Sequence, residues 1–126
     1  KITNYNKLDL ENYILSLEKN LQLQDISLKD HFKKISELEP GEIILTSIDH
    51  EGSMKGYDIK NITKMNSISS SQIIASGGAG NCEDIYQVIK KSSVKAVTAS
   101  SIYHFTQTTP LDVKKYLKKK KISVRI

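Results

Sequence analysis

The sequence has a single cysteine, Cys82, so no internal disulfide framework can form, and the chain fits a reducing, cytoplasmic compartment. It carries neither a CxxC nor an HExxH spacing, and no metal or other cofactor is implied. No apolar run approaches the roughly 20 residues that span a bilayer. The opening Lys1-Ile2-Thr3-Asn4 lacks the apolar stretch of a signal peptide. An initiator Met is missing too, which points to a chain cut from something longer. The 126 residues are 38% hydrophobic and 26% charged, an ordinary globular balance for one domain with a modest core.

The formal net charge is +5, and much of it sits in the run Lys114-Lys115-Tyr116-Leu117-Lys118-Lys119-Lys120-Lys121. A phosphate-backbone patch is one reading of such a run, but no nucleic-acid motif or aromatic interleaving accompanies it. The favoured reading is a solvated face near the end of a terminal helix, where cations complement the macrodipole. Neither a nucleic acid nor a membrane is expected as a partner.

From residue 30 onward, helix and strand patterns alternate. Phe32, Ile35 and Leu38 carry helical spacing over 30–38, and Pro40-Gly41 stops it. The short β-branched run 42–48 reads as a strand, followed by a polar loop 49–56 and a short helix over about 58–65. A second buried strand over 71–76 ends in Gly77-Gly78-Ala79-Gly80. Asn81 and Asp84 have the spacing of a capping box for a helix whose apolar stripe is Ile85, Val88 and Ile89. The third strand spans 94–101, with a short helical turn at 102–105. Thr109, Pro110 and Asp112 then open the last helix. Three successive βα units predict an α/β fold with parallel strands and right-handed crossovers. Residues 8–23 remain open between a hairpin and a helix.

Two small-residue segments at the ends of the last two strands carry the strongest chemical signal. Gly77, Gly78 and Gly80 let backbone N–H groups approach an anion, and Ala99-Ser100-Ser101 adds amide and hydroxyl donors. A phosphate held between them is the functional reading; tight strand-to-helix packing is the plain one. Glu83 and Asp84 would repel an anion if they faced it, so both are expected to face solvent. The loop Asp49-His50-Glu51-Gly52 gathers groups suited to acid/base work, or is a polar loop whose Asp49 satisfies backbone donors. Along 42–48, Glu42, Ile44, Thr46 and Ile48 share one face, with Glu42 either lining an interior or solvated at a rim. Cys82 stands near a helix N-terminus, a position that lowers a thiol pKa, but no base partner is evident. His31 is expected on a surface helix, and His104 beside the phosphate turn.

Three segments, from Gly41-Glu42-Ile43 to Gly56-Tyr57-Asp58, from Ile73 to Gly80 and from Ala99 to Phe105, together with the tail Ile122-Ser123-Val124-Arg125, resemble the cyclase subunit of imidazole glycerol phosphate synthase. The resemblance runs from about residue 30 to the end. It implies the C-terminal half of a (β/α)₈ barrel, with βα units six to eight in 30–126 and the strand-five region with its following hairpin in 1–29. In such barrels a phosphate sits between the loops after strands seven and eight. The implied activity is ammonia-dependent imidazole ring closure on a phosphorylated ribotide, with a glutaminase subunit as partner. By position, Gly52, Ser76, Gly77, Gly78, Ser100 and Ser101 would hold a phosphate. Glu51 and Thr46 would serve catalysis, and Glu42 would belong to the gate through which ammonia enters.

The chain departs from the family in three respects. Glu51 stands where an Asp is usual. The strand-five acid falls near Tyr5, between Asn4 and Asn6, none of them a carboxylate. Strands one to four are absent, so either self-association or a missing N-terminal half would complete the barrel. These departures leave two alternatives: a relative that passes ammonia to another amidotransferase, and a non-catalytic half-barrel assembly module.

Overall fold

The computed structural model describes residues 28–125. The expectations for the strand-five region, the hairpin and the Asn4–Asn6 site lie outside them. Eight elements follow in order: α1 (Leu28–Ser36), β1 (Glu42–Thr46), α2 (Ile59–Ile68), β2 (Gln72–Ser76), α3 (Cys82–Ser92), β3 (Ala96–Val97), α4 (Ser101–Phe105) and α5 (Pro110–Lys119). The sheet order is β1-β2-β3 and every pairing is parallel. The register runs Glu42 with Gln72, Ile44 with Ile74, Thr46 with Ser76, and Ile74 with Ala96. The chain is therefore α/β with parallel strands, as the alternating pattern requires.

Local chemistry fixes the helix starts. Asn81 and Thr109 each accept from the backbone N–H three residues on, and Asp84 and Asp112 reach back to complete both capping boxes. Pro110 stands in the first turn of α5, where its missing N–H costs nothing. Asp58 caps α2 through the N–H of Asn61 at 3.1 Å. At the far end of the sheet, Ser71 Oγ donates to the Pro40 carbonyl at 2.5 Å and ties the starts of β1 and β2 together.

Among the described residues, the largest fully buried side chains belong to one core between the sheet and its helices: Ile62, Met65, Ile73, Ile85, Val88 and Ile102. Each such side chain contributes about 1.5–3 kcal/mol on leaving water. The other face of the sheet has no such cover among the described residues. There Ile44 is 63% exposed and Ile48, just past β1, is 89% exposed. The Glu42/Ile44/Thr46 row occupies this open face, while Ile43 and Leu45 pack against the core.

Three of the sequence expectations that need correction concern Leu38, the third strand and Asp84. Leu38 does not continue the stripe of α1; the helix ends at Ser36, and Leu38 is 80% exposed. The strand expected over 94–101 pairs over Ala96–Val97 alone, extended by Thr98 N–H donating to the Ala75 carbonyl at 2.8 Å. No further strand lies beyond β3 among the described residues to prolong the ladder. The third concerns Asp84, described with the site below.

Candidate functional site

Three turns meet at the C-terminal ends of the parallel strands. The first, 47–56, follows β1. It is folded back on Ser47, whose carbonyl accepts from the N–H of His50 at 3.2 Å and of Glu51 at 2.9 Å. The side chains close the same turn, with Ser47 Oγ and His50 Nδ1 2.9 Å apart. The second turn, 77–80, follows β2, and Gly56 N–H donates to the Gly78 carbonyl at 2.8 Å. Glycine is required there on two grounds. Gly77 and Gly78 have φ of 94° and 105°, and a Cβ on Gly78 would lie 2.1 Å from the Gly56 carbonyl oxygen. The third turn, 98–101, is held by the Tyr57 hydroxyl, which donates to the Thr98 carbonyl at 2.7 Å.

Between these turns lies a cleft of about 100 Å³, walled by Glu51 from the first turn, Ser76–Ala79 from the second and Thr98–Ser101 from the third. Its wall is small and polar, and no Lys, Arg or His among the described residues contributes to it. Among the described residues, the N–H groups of Gly78, Ala79 and Ser101 have no protein acceptor. A cleft bordered by unpaired amides and serine hydroxyls, with no cation among the described residues, is suited to an anion bound by dipoles rather than by salt bridges.

Of the sequence-derived candidates, Ser76, Gly77, Gly78, Ser100, Ser101 and Glu51 all border this cleft. Gly52 does not; it lies on the exposed crown of the first turn with nothing within 4 Å of a Cβ placed there. Thr46 is on the open sheet face, in register with Ser76 but outside the cleft wall. Glu42 stands at the opposite end of the sheet, where Gln72 Nε2 donates to its Oε1 at 3.1 Å. His31 is exposed on α1. His104 is exposed on α4, edge-on to Phe105 at 6.5 Å, and does not border the cleft.

Asp84 does not face solvent as expected. Its Oδ2 accepts from the N–H of Gly80 at 3.0 Å and of Asn81 at 3.1 Å, so the carboxylate consumes donors on the far side of the glycine turn. Glu83 turns the other way, accepting from Gln87 and Tyr116 and pairing with Lys120 at 3.5 Å. The Cys82 thiol pKa is raised, not lowered: burial disfavours the thiolate first and Asp112 adds to it, outweighing the backbone N–H. Burial also raises the Tyr57 phenol, with Tyr103, Asp84 and Glu51 adding to the effect, so Tyr57 remains a hydrogen-bond donor. Sequence reasoning missed Tyr57, Thr98 and the Ser47–His50 pair. Ser47 and His50 stand at i and i+3, a turn spacing legible in principle, but the Tyr57–Thr98 bond joins positions 41 apart.

The profile of the family described as "Histidine biosynthesis protein" matches residues 6–109, most of the chain. The chain belongs to that family. Curated relatives carry the name imidazole glycerol phosphate synthase subunit HisF. The one from Natranaerobius thermophilus is 37% identical over 116 residues, 92% of this chain and 46% of the relative. The one from Clostridium botulinum is 41% identical over 101 residues, and that from Dictyoglomus thermophilum 46% over 101, each covering 80% of this chain and 40% of the relative. The chain thus spans less than half the length of these relatives. No helix among the described residues is long and apolar enough to cross a membrane.

Proposed function

We propose that the chain is the C-terminal half of a (β/α)₈-barrel cyclase subunit of imidazole glycerol phosphate synthase, with βα units six to eight in 30–126 and the strand-five region in 1–29. Its part in the reaction is to hold a phosphate of the ribotide substrate between the turns at 77–79 and 100–101. The observation that carries this reading is the convergence of three turns on one cleft of small, donor-bearing residues at the C-terminal ends of parallel strands, where barrels of this kind place their ligands. The names of the relatives support the same activity.

Glu51 borders the cleft and Thr46 the sheet face beside it, so both are placed to meet a substrate that extends from its phosphate onto the sheet. Gly52 is kept as a phosphate-binding candidate through its exposed backbone. Glu42, at the opposite end of β1, is assigned to the entry of ammonia from a glutaminase partner. A barrel of this type runs to about 250 residues, and the bare Ile44/Ile48 face supports a missing half. So does a groove of about 380 Å³ on the helix side of β3, lined by apolar Ile85, Val97 and Tyr103 and by Lys95, Lys114 and Arg125.

Turnover of the cyclase substrate with ammonia, by the full-length protein, tests the reading. Ring closure that falls sharply in a Ser101→Asp variant supports it. A protein that stimulates a glutaminase without closing the ring belongs instead with relatives that pass ammonia to another amidotransferase. The same bare face favours a second reading, in which the chain assembles with another copy and does no chemistry. Light scattering that gives a dimer without phosphate affinity selects that reading.

A further inference from the structure

The cleft brings together features that oppose one another. Its lining carries amide and hydroxyl donors, which attract an anion, yet Glu51 forms one wall and no Lys, Arg or His among the described residues borders it. The Glu51 backbone is anchored by its N–H bond to the Ser47 carbonyl at 2.9 Å, and its side-chain Oε2 lies 3.1 Å from where a Cβ on Gly77 would stand. A fully ionised dianion seated on the Gly78 and Ala79 amides would face this carboxylate without a compensating charge. A phosphate that retains one proton meets no such conflict. Its P–OH donates to the carboxylate in a short charge-assisted hydrogen bond, and its remaining oxygens accept from the turns.

We propose that Glu51 selects a ligand that bears a P–OH, so that the cleft takes inorganic phosphate or a phosphomonoester monoanion and excludes sulfate and the phosphomonoester dianion. Sulfate has nearly the size and shape of phosphate but no proton to donate near neutral pH. Glu51 is thus a specificity determinant of the cleft, whatever further part it has in chemistry. The inference rests on the proposed phosphate site and adds the protonation state that the site accepts.

The test is calorimetric titration of this chain with inorganic phosphate and with sodium sulfate between pH 5 and 8, on the wild type and on Glu51→Gln. Wild type is expected to prefer phosphate by about tenfold or more, the scale set by one charge-assisted hydrogen bond. That preference should persist across this range, because inorganic phosphate keeps a P–OH in both its mono- and dianionic forms, whereas affinity for a phosphomonoester such as glycerol phosphate, titrated in the same way, should fall as pH rises and its single P–OH is lost. In Glu51→Gln the amide donates in place of the carboxylate, so sulfate binding strengthens and the preference disappears. The ³¹P shift of bound glycerol phosphate provides an independent readout: in wild type it should keep the protonated value to higher pH than the free ester does. If both anions bind wild type equally and Glu51→Gln changes neither, the inference is overturned while the phosphate site stands. If neither anion binds either variant, and both variants give folded near-ultraviolet spectra, the phosphate site itself is overturned.

Discussion

The hydroxyl of Tyr57 donates to the carbonyl of Thr98 at 2.7 Å, joining the end of the first turn to the start of the third. Tyr57 is buried, so removing its hydroxyl leaves an acceptor without its partner. Tyr57→Phe is expected to lower stability by about 1–3 kcal/mol. The midpoint of urea unfolding should fall while its slope stays unchanged, because the packed ring remains.

Gly78 provides a stronger test of the same cluster. A methyl group there meets the Gly56 carbonyl at 2.1 Å on a backbone with φ of 105°. Gly78→Ala is expected to cost about 2–4 kcal/mol, since strain and overpacking both act. Phosphate affinity should fall with it, because relief of the clash parts the first turn from the second. Thermal unfolding and phosphate titration of one sample check both effects.

Ser101→Asp separates binding from folding. The position opens α4 and borders the cleft, so a carboxylate there suits the helix start while repelling an anion. Stability should stay within about 0.5 kcal/mol of wild type. Phosphate affinity should drop at least about tenfold, one like-charge contact near the surface being enough for that. Unchanged affinity would place the ligand elsewhere.

Asp58 links the site to pH. Burial alone would raise its carboxyl pKa, but hydrogen bonds from the Asn61 backbone and side chain, with His50 and Lys60 nearby, hold it below the usual value. A carboxyl lowered in the folded state stabilises the fold at pH above its unfolded pKa, about 3.9, and that contribution disappears as pH falls through the folded value. Asp58→Ala is expected to cost about 1 kcal/mol near neutrality, and Asp58→Asn much less, since Asn also caps. The gap between wild type and Asp58→Ala should narrow in acid, which denaturant titrations at pH 7 and pH 3 resolve.

The parts of the fold legible in the sequence are those fixed by neighbours along the chain. Both capping boxes, the Pro110 start and the alternation of β1 depend on residues within four positions of one another, and the structure has them as read. The parallel arrangement followed from the order of elements. What escaped depends on distant partners. Asp84 turns toward Gly80 because the glycine turn offers free amides, and the length of β3 depends on what lies beside it. The apolar Leu38 kept helical spacing beyond the point where α1 ends at Ser36. The cleft was legible as two small-residue segments, whereas its third wall, Glu51, was expected for acid/base work rather than as a border of the phosphate turn.

The bare sheet face leads to a last substitution. Ile44→Lys sits in the open row, 63% exposed, and touches little of the core. If another copy or a missing half covers this face, the substitution should leave unfolding of the chain within about 0.5 kcal/mol and abolish association, as read by light scattering. Association that survives would place the contact elsewhere.

The sheet is unevenly zipped. β1 and β2 align over five residues, β2 and β3 over two. Amide hydrogens of Ala96 to Thr98 should therefore exchange with solvent well before those of Ile73 to Ala75, marking the third strand as a separately opening unit. The cleft straddles that seam, with Gly77–Ala79 on its firm side and Thr98–Ser101 on its loose side. An anion seated there acts as a rivet, and its arrival should slow exchange at β3 more than anywhere else in the chain.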